Sequence, residues 1–201
     1  MKILGVSFSP RKNGNTVAML SRALESAKAA GAETELYSVA GKDIKPCDGC
    51  WGCMKAGKCH IKDDAPELFG KILAADGLIL GSPVYFWGMT AQAKAVIDRS
   101  IQFMGPDRGL ANKVCGVVAS CGSLGMVDVL KDFSYFIVQK RMLPANQVSA
   151  YLHGPEDLEQ MPRCVKALED LGRQMAALVK MNFKYPMEFA GGPGAFGTHT
   201  R

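Results

Sequence analysis

The sequence lacks an apolar run long enough to cross a membrane. Hydrophobic residues make up 48 % of the chain, but polar residues interrupt them well before the roughly 20 residues that a membrane-spanning helix needs. The amino-terminal stretch MKILGVSF is too short for the apolar segment of a signal peptide. We therefore expect a cytoplasmic protein without a membrane partner.

Clustered charge of one sign is also missing. The 24 basic and 19 acidic residues give a net charge of +5 that is spread along the chain without a basic run. A nucleic-acid partner is therefore not indicated, because binding to a phosphate backbone usually needs a concentrated basic surface. An anionic cofactor or an acidic electron-transfer partner is compatible with this charge.

Histidine is scarce, and the three copies are scattered. His60, His153 and His199 have no spacing that would make a metal-binding face or a catalytic triad. No acidic pair has the pattern of a catalytic acid and base either. These absences fit a protein in which a bound cofactor performs the chemistry and the chain positions it.

The sequence does contain a regular alternation of strand and helix patterns. Strands are predicted at residues 2–8, 34–39, 77–82, 113–120 and 147–152, and helices at 15–30, 64–75, 90–104, 126–141 and 156–182. Gly31 is a natural residue to end the first helix, and Thr90 is a natural cap for the third. The alternation predicts an α/β fold, in which helices cover both faces of a parallel sheet.

Two segments stand outside this alternation. We assign residues 1–182 to one domain with a cysteine-rich insertion at about 42–62, which is longer than a plain strand-to-helix connection needs. The remaining tail, 183–201, contains glycine and proline but also four aromatics, namely Phe183, Tyr185, Phe189 and Phe196. Disordered segments seldom keep so many aromatics, so we expect part of the tail to pack on the body or on a neighbouring subunit.

Four of the seven cysteines lie in the run CDGCWGCMKAGKC. Cys47, Cys50 and Cys53 are separated by two-residue gaps, and Cys59 follows after a longer gap. Three thiolates from one loop can wrap a single iron–sulfur cubane, and a fourth can complete its ligands. Zinc is the weaker interpretation, because four-cysteine zinc sites usually take two separate pairs. Free thiols and a reversible disulfide are further alternatives.

The segment after the first predicted strand has the composition of a phosphate site. It contains Ser9, Arg11, Asn13, Asn15 and Thr16 around a glycine. A helix begins here, and its free backbone N–H groups and its dipole favour an anion. The segment matches neither GxGxxG nor GxxxxGK[ST], the fingerprints of dinucleotide and nucleoside-triphosphate sites. The alternative is a polar turn in which Asn15 or Thr16 merely caps the helix.

Two further loops follow buried strands. The aromatic loop consists of Pro83, Val84, Tyr85, Phe86, Trp87 and Gly88. Its rings would suit a flat conjugated ligand in a crevice at the sheet edge, although they could instead cover that edge or a subunit contact. The fourth strand ends in a turn of small residues that includes Ser120 and Gly122, where backbone can approach a ligand closely.

In combination these segments resemble a known group. The resemblance rests on SPR at 9–11 with GNT at 14–16, on SPVY at 82–85, and on AQAK at 91–94 with IDR at 97–99. This pattern resembles the NADPH-dependent FMN reductases among the flavodoxin-like proteins. The cysteine run resembles, more narrowly, the iron–sulfur flavoproteins within that group. The resemblance covers roughly residues 1–180.

The resemblance implies a flavodoxin-like, doubly wound, five-stranded parallel sheet with strand order 2-1-3-4-5. It implies that the FMN phosphate binds the Ser9 to Thr16 loop and that the isoalloxazine ring lies against Pro83 to Gly88. It also implies a [4Fe–4S] cluster on the four cysteines. A homodimer or homotetramer would then bring the cluster and the flavin together across subunits.

We therefore predict an FMN-dependent oxidoreductase with a [4Fe–4S] cluster that passes electrons to or from the flavin. NAD(P)H or ferredoxin would supply electrons, and a small molecule could accept them. One alternative is a cluster-free NAD(P)H-dependent reductase of FMN or quinones. A second alternative is a redox-sensing or electron-carrier flavoprotein without a substrate of its own.

Overall fold

The computed structural model describes residues 1–103 and 109–190. The strands in these ranges are β1 (Lys2–Ser7), β2 (Glu33–Ser38), β3 (Gly77–Pro83), β4 (Val114–Cys121) and β5 (Leu143–Tyr151). The α-helices are α1 (Asn15–Ala29), α2 (Gly52–Ala56), α3 (Ala65–Ala74), α4 (Ala91–Arg99), α5 (Met126–Gln139), α6 (Pro162–Lys180) and α7 (Met187–Ala190). Short 3-10 helices span Ser100–Phe103 and Pro155–Gln160.

The strands form one parallel sheet in the order β2-β1-β3-β4-β5, which confirms the predicted order. From β1 the chain moves outward to β2, then returns to the other side of β1 to form β3. The connections therefore leave in opposite directions at the carboxyl ends of β1 and β3. A crevice opens at such a switch point, and ligands of doubly wound sheets bind there.

Both faces of the sheet are buried because neighbouring residues in a strand point to opposite sides. Ile3 and Ile79 belong to the hydrophobic cluster shared with α1 and α6. Leu4 and Leu80, one position further on, belong to the cluster shared with α3, α4 and α5. Because helices cover both faces, the central strands β1, β3 and β4 are continuous apolar runs, and this pattern indicated them in the sequence.

The predicted helix ends are confirmed at two positions. Gly31 follows the C-cap residue of α1 with φ +91°, and its N–H donates to the carbonyl of Lys28 at 2.9 Å. Thr90 precedes α4, and its side-chain oxygen accepts a hydrogen bond from the N–H of Ala93 at 3.2 Å. Each residue satisfies backbone groups that a helix leaves unpaired at its ends.

Three predicted elements differ from the observed ones by more than two residues at one end. β5 begins at Leu143 rather than 147, because this edge strand alternates between exposed and buried residues instead of forming an apolar run. The helix predicted for 156–182 is divided into a 3-10 helix and α6, which starts at Pro162. The helix predicted for 90–104 is α4 followed by a 3-10 helix, and residue 104 lies outside the described residues.

The described part of the tail contacts the body. The N–H of Tyr185 donates to the side-chain oxygen of Asn112 at 2.7 Å. The rings of Phe183 and Tyr185 meet edge to face with centres 5.0 Å apart, while Phe196 lies outside the described residues. Across residues 1–103 and 109–190, none of the helices combines the length and apolar character that spanning a membrane would require.

Candidate functional site

A crevice of about 250 Å³ lies at the carboxyl edge of the sheet. The predicted residues that line it are Ser9, Arg11, Asn15, Thr16, Pro83, Val84, Tyr85, Ser120 and Gly122. They come from three different loops, which the sheet topology brings to one edge. The other predicted cofactor residues, Asn13, Phe86, Trp87 and Gly88, do not line the crevice.

The loop after β1 forms the polar end of this crevice. Gly14 precedes α1 in an extended conformation, and no side chain caps the helix. The amide of Asn15 instead donates to the carbonyl of Leu152 at 2.8 Å, and the hydroxyls of Thr16 and Ser120 lie 2.9 Å apart. Because the first N–H groups of a helix have no carbonyl within that helix, they are available to an anion here. The residues present therefore fit a phosphate group.

The aromatic loop is a tight two-residue turn. Tyr85 and Gly88 exchange backbone hydrogen bonds of 2.9 and 3.2 Å. Phe86 and Trp87 between them have φ values of 48° and 65°. Positive φ at both central residues is typical of hairpin turns that usually contain Asn or Gly, so two aromatics in this position are strained. The turn leaves Tyr85 in the crevice wall and holds Phe86 outside it, 93 % exposed.

Buried hydroxyl groups hold the aromatic loop against its neighbours. The hydroxyl of Thr90 donates to the carbonyl of Phe8 at 2.8 Å, and the N–H of Thr90 donates to the hydroxyl of Ser82 at 3.2 Å. The N–H of Val84 donates to the carbonyl of Ser120 at 2.8 Å. These bonds tie the loops after β1, β3 and β4 together, so the crevice walls are preorganised.

Gly125 lets the start of α5 pack directly against the aromatic loop. It has φ +95°, and a Cβ at this position would lie 2.6 Å from the Cα of Trp87. It would also lie 2.9 Å from Cγ1 of Val84. Any side chain at this position would therefore push on the backbone of the crevice wall.

Sequence reasoning missed residues at the ends of β4 and β5. Cys121, Leu152 and His153 also line the crevice. The N–H of Leu152 donates to the carbonyl of Cys121 at 2.9 Å, which holds the two strand ends together. These residues could have been identified because ligands of parallel sheets bind beyond the carboxyl ends of the strands.

The four clustered cysteines line a second cavity of about 200 Å³. Cys53 is buried at the start of α2, Cys47 and Cys59 are half-buried, and Cys50 is exposed. The cavity has no lining residue in common with the crevice. All seven cysteines are free thiols in this structure.

Left-handed turns shape the cysteine loop around this cavity. Gly49, Trp51 and Gly57 have φ values of 70°, 58° and 72°. The N–H of Gly57 closes α2 by donating to the carbonyl of Cys53 at 2.8 Å. At each of these residues the backbone changes direction, and all four cysteines line the same cavity. Four thiolates from a single loop can share a site only if the chain turns in this way.

A buried ion pair anchors the cysteine loop to the end of α4. The guanidinium of Arg99 binds both carboxylate oxygens of Asp63 and also donates to the carbonyl of Lys45 at 3.2 Å. Burial opposes ionisation of Asp63, but hydrogen bonds from Arg99 and from the N–H groups of Lys45 and Ala65 hold the pKa of Asp63 below its ordinary value. The loop is therefore fixed at both of its ends.

One group of potential single-ion ligands occurs in the same loop. Ligand atoms of Asp48, Cys50 and His60 lie within 4.8 Å of one another, and a ring nitrogen of His60 is 2.7 Å from Asp48. Within residues 1–103 and 109–190, no three cysteine sulfurs lie that close together. The ligands of a cubane bind different iron atoms and stand farther apart than those of one ion. The four cysteines do share one cavity, and cysteine thiolates are the usual ligands of iron–sulfur clusters.

Comparisons with known proteins agree with this geometry. The profile of the NADPH-dependent FMN reductase family matches residues 1–175. The chain is 37 % identical over 195 residues to an iron–sulfur flavoprotein of Methanocaldococcus jannaschii, covering 90 % of this chain and 98 % of the relative. Among solved structures it is similar to a flavone reductase, with TM-score 0.72 and 23 % identity, over 90 % of this chain and 63 % of that one. An archaeal flavodoxin matches with TM-score 0.60 and 15 % identity, over 90 % of this chain and 99 % of that one.

The fold and the crevice, together with these comparisons, define a flavodoxin-like flavin-dependent oxidoreductase. The structural similarities establish the fold alone, because their sequence identities are below 25 %. The family profile, in contrast, matches residues 1–175, which is most of the chain. The chain belongs to the NADPH-dependent FMN reductase family, which confirms the resemblance inferred from its motifs.

Proposed function

We propose that the protein is an FMN-dependent oxidoreductase that carries a [4Fe–4S] cluster and passes electrons between the two cofactors. The observation that carries this proposal is that all four clustered cysteines line one cavity, separate from the flavin crevice. Two relatives of this chain are named iron–sulfur flavoproteins, which supports the proposal. A chain with two preformed sites can hold two redox groups at once.

The crevice would hold FMN in a defined orientation. The N–H groups at the start of α1, with Ser9 and Arg11, would bind the phosphate, and Pro83 to Tyr85 would face the ring system. Bound FMN supplies both one-electron and two-electron transfer. The chain supplies position, because its loops are tied to each other before the ligand arrives.

The cysteine cavity would hold the cluster through Cys47, Cys50, Cys53 and Cys59. A bound [4Fe–4S] cluster supplies one-electron transfer. Cys50 would have to exchange its contact with Asp48 for iron, since its thiol now lies in the group with Asp48 and His60. The other three cysteines also line the cavity, and none of them belongs to that group.

Exposed aromatic rings at both sites support an oligomer. α4 begins beside the aromatic loop and ends at the cysteine cavity, and its nine residues span ~13 Å. Each site has an exposed aromatic at its rim, Phe86 at 93 % and Trp51 at 65 % exposure. Burial of these rings against a second copy would place the cluster of one subunit near the flavin of another. A strictly monomeric mass of the flavin-loaded protein would contradict this part of the proposal.

A cluster-free NAD(P)H-dependent reductase is the second candidate. The observation that favours it is the contact of the Cys50 thiol with Asp48 and His60, because Cys50 would have to give up these partners to bind iron. Steady oxidation of NAD(P)H by iron-free protein would support this candidate. Reduction by ferredoxin alone would instead support an electron carrier.

Cofactor analysis of protein purified without oxygen tests the proposal. We expect one FMN and about four iron and four sulfide per chain. Cys53→Ala should lose the iron and keep FMN, because the crevice is built from other loops. The matched control is Cys164→Ala, a cysteine of α6 outside both cavities, which should keep both cofactors. Wild-type protein that never binds iron after anaerobic reconstitution would refute the cluster, and failure to bind FMN would refute the flavin site.

A further inference from the structure

Arg99 is a buried cation in the wall of the cysteine cavity. Its side chain is only 1 % exposed, and its guanidinium carbon lies 5.8 Å from the centre of the Phe69 ring. The ion pair with Asp63 explains why the charge is tolerated in the interior. It does not account for all of the hydrogen-bond donors of this side chain.

Three of the five guanidinium N–H groups have acceptors within the protein. One nitrogen, Nη1, donates to Asp63 and to the carbonyl of Lys45, and Nη2 donates to the second oxygen of Asp63 at 3.1 Å. Because the guanidinium is planar, the two remaining N–H groups lie together on its Nε–Nη2 edge. Among the described residues, the buried Nε has no hydrogen-bond partner.

An unsatisfied buried donor of this kind needs an explanation, since leaving one unpaired usually costs ~1–3 kcal/mol. The nearby candidate acceptor is Cys59, another lining residue of the same cavity. An arginine guanidinium keeps its positive charge in proteins, and the carboxylate of Asp63 pairs with it here. The free edge and the charge both favour an anionic sulfur ligand.

We infer that Arg99 is a positioning residue of the cluster site, whose free Nε–Nη2 edge donates hydrogen bonds to the sulfur of Cys59 when that thiolate binds the cluster. This inference rests on the proposed function. Hydrogen bonds and positive charge near the sulfurs favour the more negative, reduced state of a cluster. Arg99 therefore raises the reduction potential of the cluster while Asp63 holds the guanidinium in place.

Redox titration of the iron-loaded protein tests the inference. Arg99→Lys keeps a positive charge that can pair with Asp63 but removes the planar edge. We expect the ratio of reduced to oxidised cluster at a fixed potential to fall about tenfold, which is ~59 mV for a one-electron couple. The FMN potential, read in the same titration, should not change. Arg22→Lys on α1, outside both cavities, is the matched control and should leave both potentials unchanged.

A second measurement covers the case in which Arg99→Lys fails to assemble the cluster. Wild-type protein labelled with ¹⁵N-arginine should show a magnetic coupling between an arginine nitrogen and the reduced cluster. Absence of that coupling, or a wild-type cluster potential in iron-loaded Arg99→Lys, would overturn this inference alone. Wild-type protein that never binds iron would overturn the proposed function and this inference together.

Discussion

Replacing Gly125 by alanine tests whether the start of α5 holds the wall of the crevice that we propose binds FMN. The new Cβ would lie 2.6 Å from the Cα of Trp87 and 2.9 Å from Cγ1 of Val84. Ordinary contacts between carbon atoms are ~3.5 Å or longer. The aromatic loop must therefore move by up to ~1 Å, because the nearest atom belongs to the backbone and cannot rotate away.

Two effects contribute to the expected result. A non-glycine residue in the left-handed region costs ~1–2 kcal/mol of folding free energy. Displacing Val84 and Tyr85, which we propose face the flavin ring, should also weaken FMN binding about tenfold, which corresponds to ~1.4 kcal/mol. Gly31→Ala separates these effects, since Gly31 has a similar φ of +91° but lies outside the crevice, and a Cβ added there would meet no atom within 4 Å.

Urea unfolding of the FMN-free protein and fluorescence titration with FMN measure the two effects separately. Both variants should lose stability, Gly125→Ala at least as much as Gly31→Ala, and only Gly125→Ala should bind FMN more weakly. Wild-type FMN affinity in Gly125→Ala would refute the argument that α5 supports the crevice wall. Equal weakening by Gly31→Ala would show that backbone strain, rather than contact with the loop, controls binding.

Three further predictions concern single side chains. Arg11→Gln should weaken FMN binding about tenfold at low salt and less at high salt, because Arg11 is exposed and screened; affinity that does not change with salt would contradict this. Phe86→Asn should raise the free energy of unfolding by ~1 kcal/mol in urea, because Asn tolerates the φ of 48° better than Phe; a lower unfolding free energy would contradict it. Burial lowers the pKa of Lys140 from 10.5 to about 8, so its cost to folding is complete below pH 8 and disappears as the pH rises to 10.5. The stability of Lys140→Met relative to wild type should therefore fall by ~2–3 kcal/mol between pH 7 and pH 10.5, and a constant difference would show that burial does not control this lysine.

The central part of the fold could be predicted because β3 and β4 are buried on both faces. Such strands appear as uninterrupted apolar runs, and the helices between them require parallel crossovers. β5 was predicted to begin too late because an edge strand has an alternating pattern, and its start includes Pro144. The short α2 was not predicted because five residues of a glycine-containing loop carry no helical period.

The site could be predicted in part, for a similar physical reason. The loops that follow β1, β3 and β4 lie at the same edge of the sheet, because the strands are parallel and adjacent. Their polar and aromatic residues could therefore be identified from the sequence. The direction of Phe86 depends on a left-handed turn that contains neither Asn nor Gly at its centre, and sequence rules do not anticipate such strain. Arg99 was part of a family motif, but its unpaired Nε in the cysteine cavity depends on tertiary structure.

The most direct test of the proposed function is the number of electrons that the anaerobic holoprotein accepts. FMN accepts two electrons and a [4Fe–4S] cluster accepts one, so a reductive titration should consume about three per chain. Cys53→Ala should consume about two, because it keeps FMN and loses the cluster. An uptake of two electrons by iron-loaded and FMN-loaded wild-type protein, with no difference from Cys53→Ala, would contradict the claim that this chain joins a flavin to a redox-active cluster.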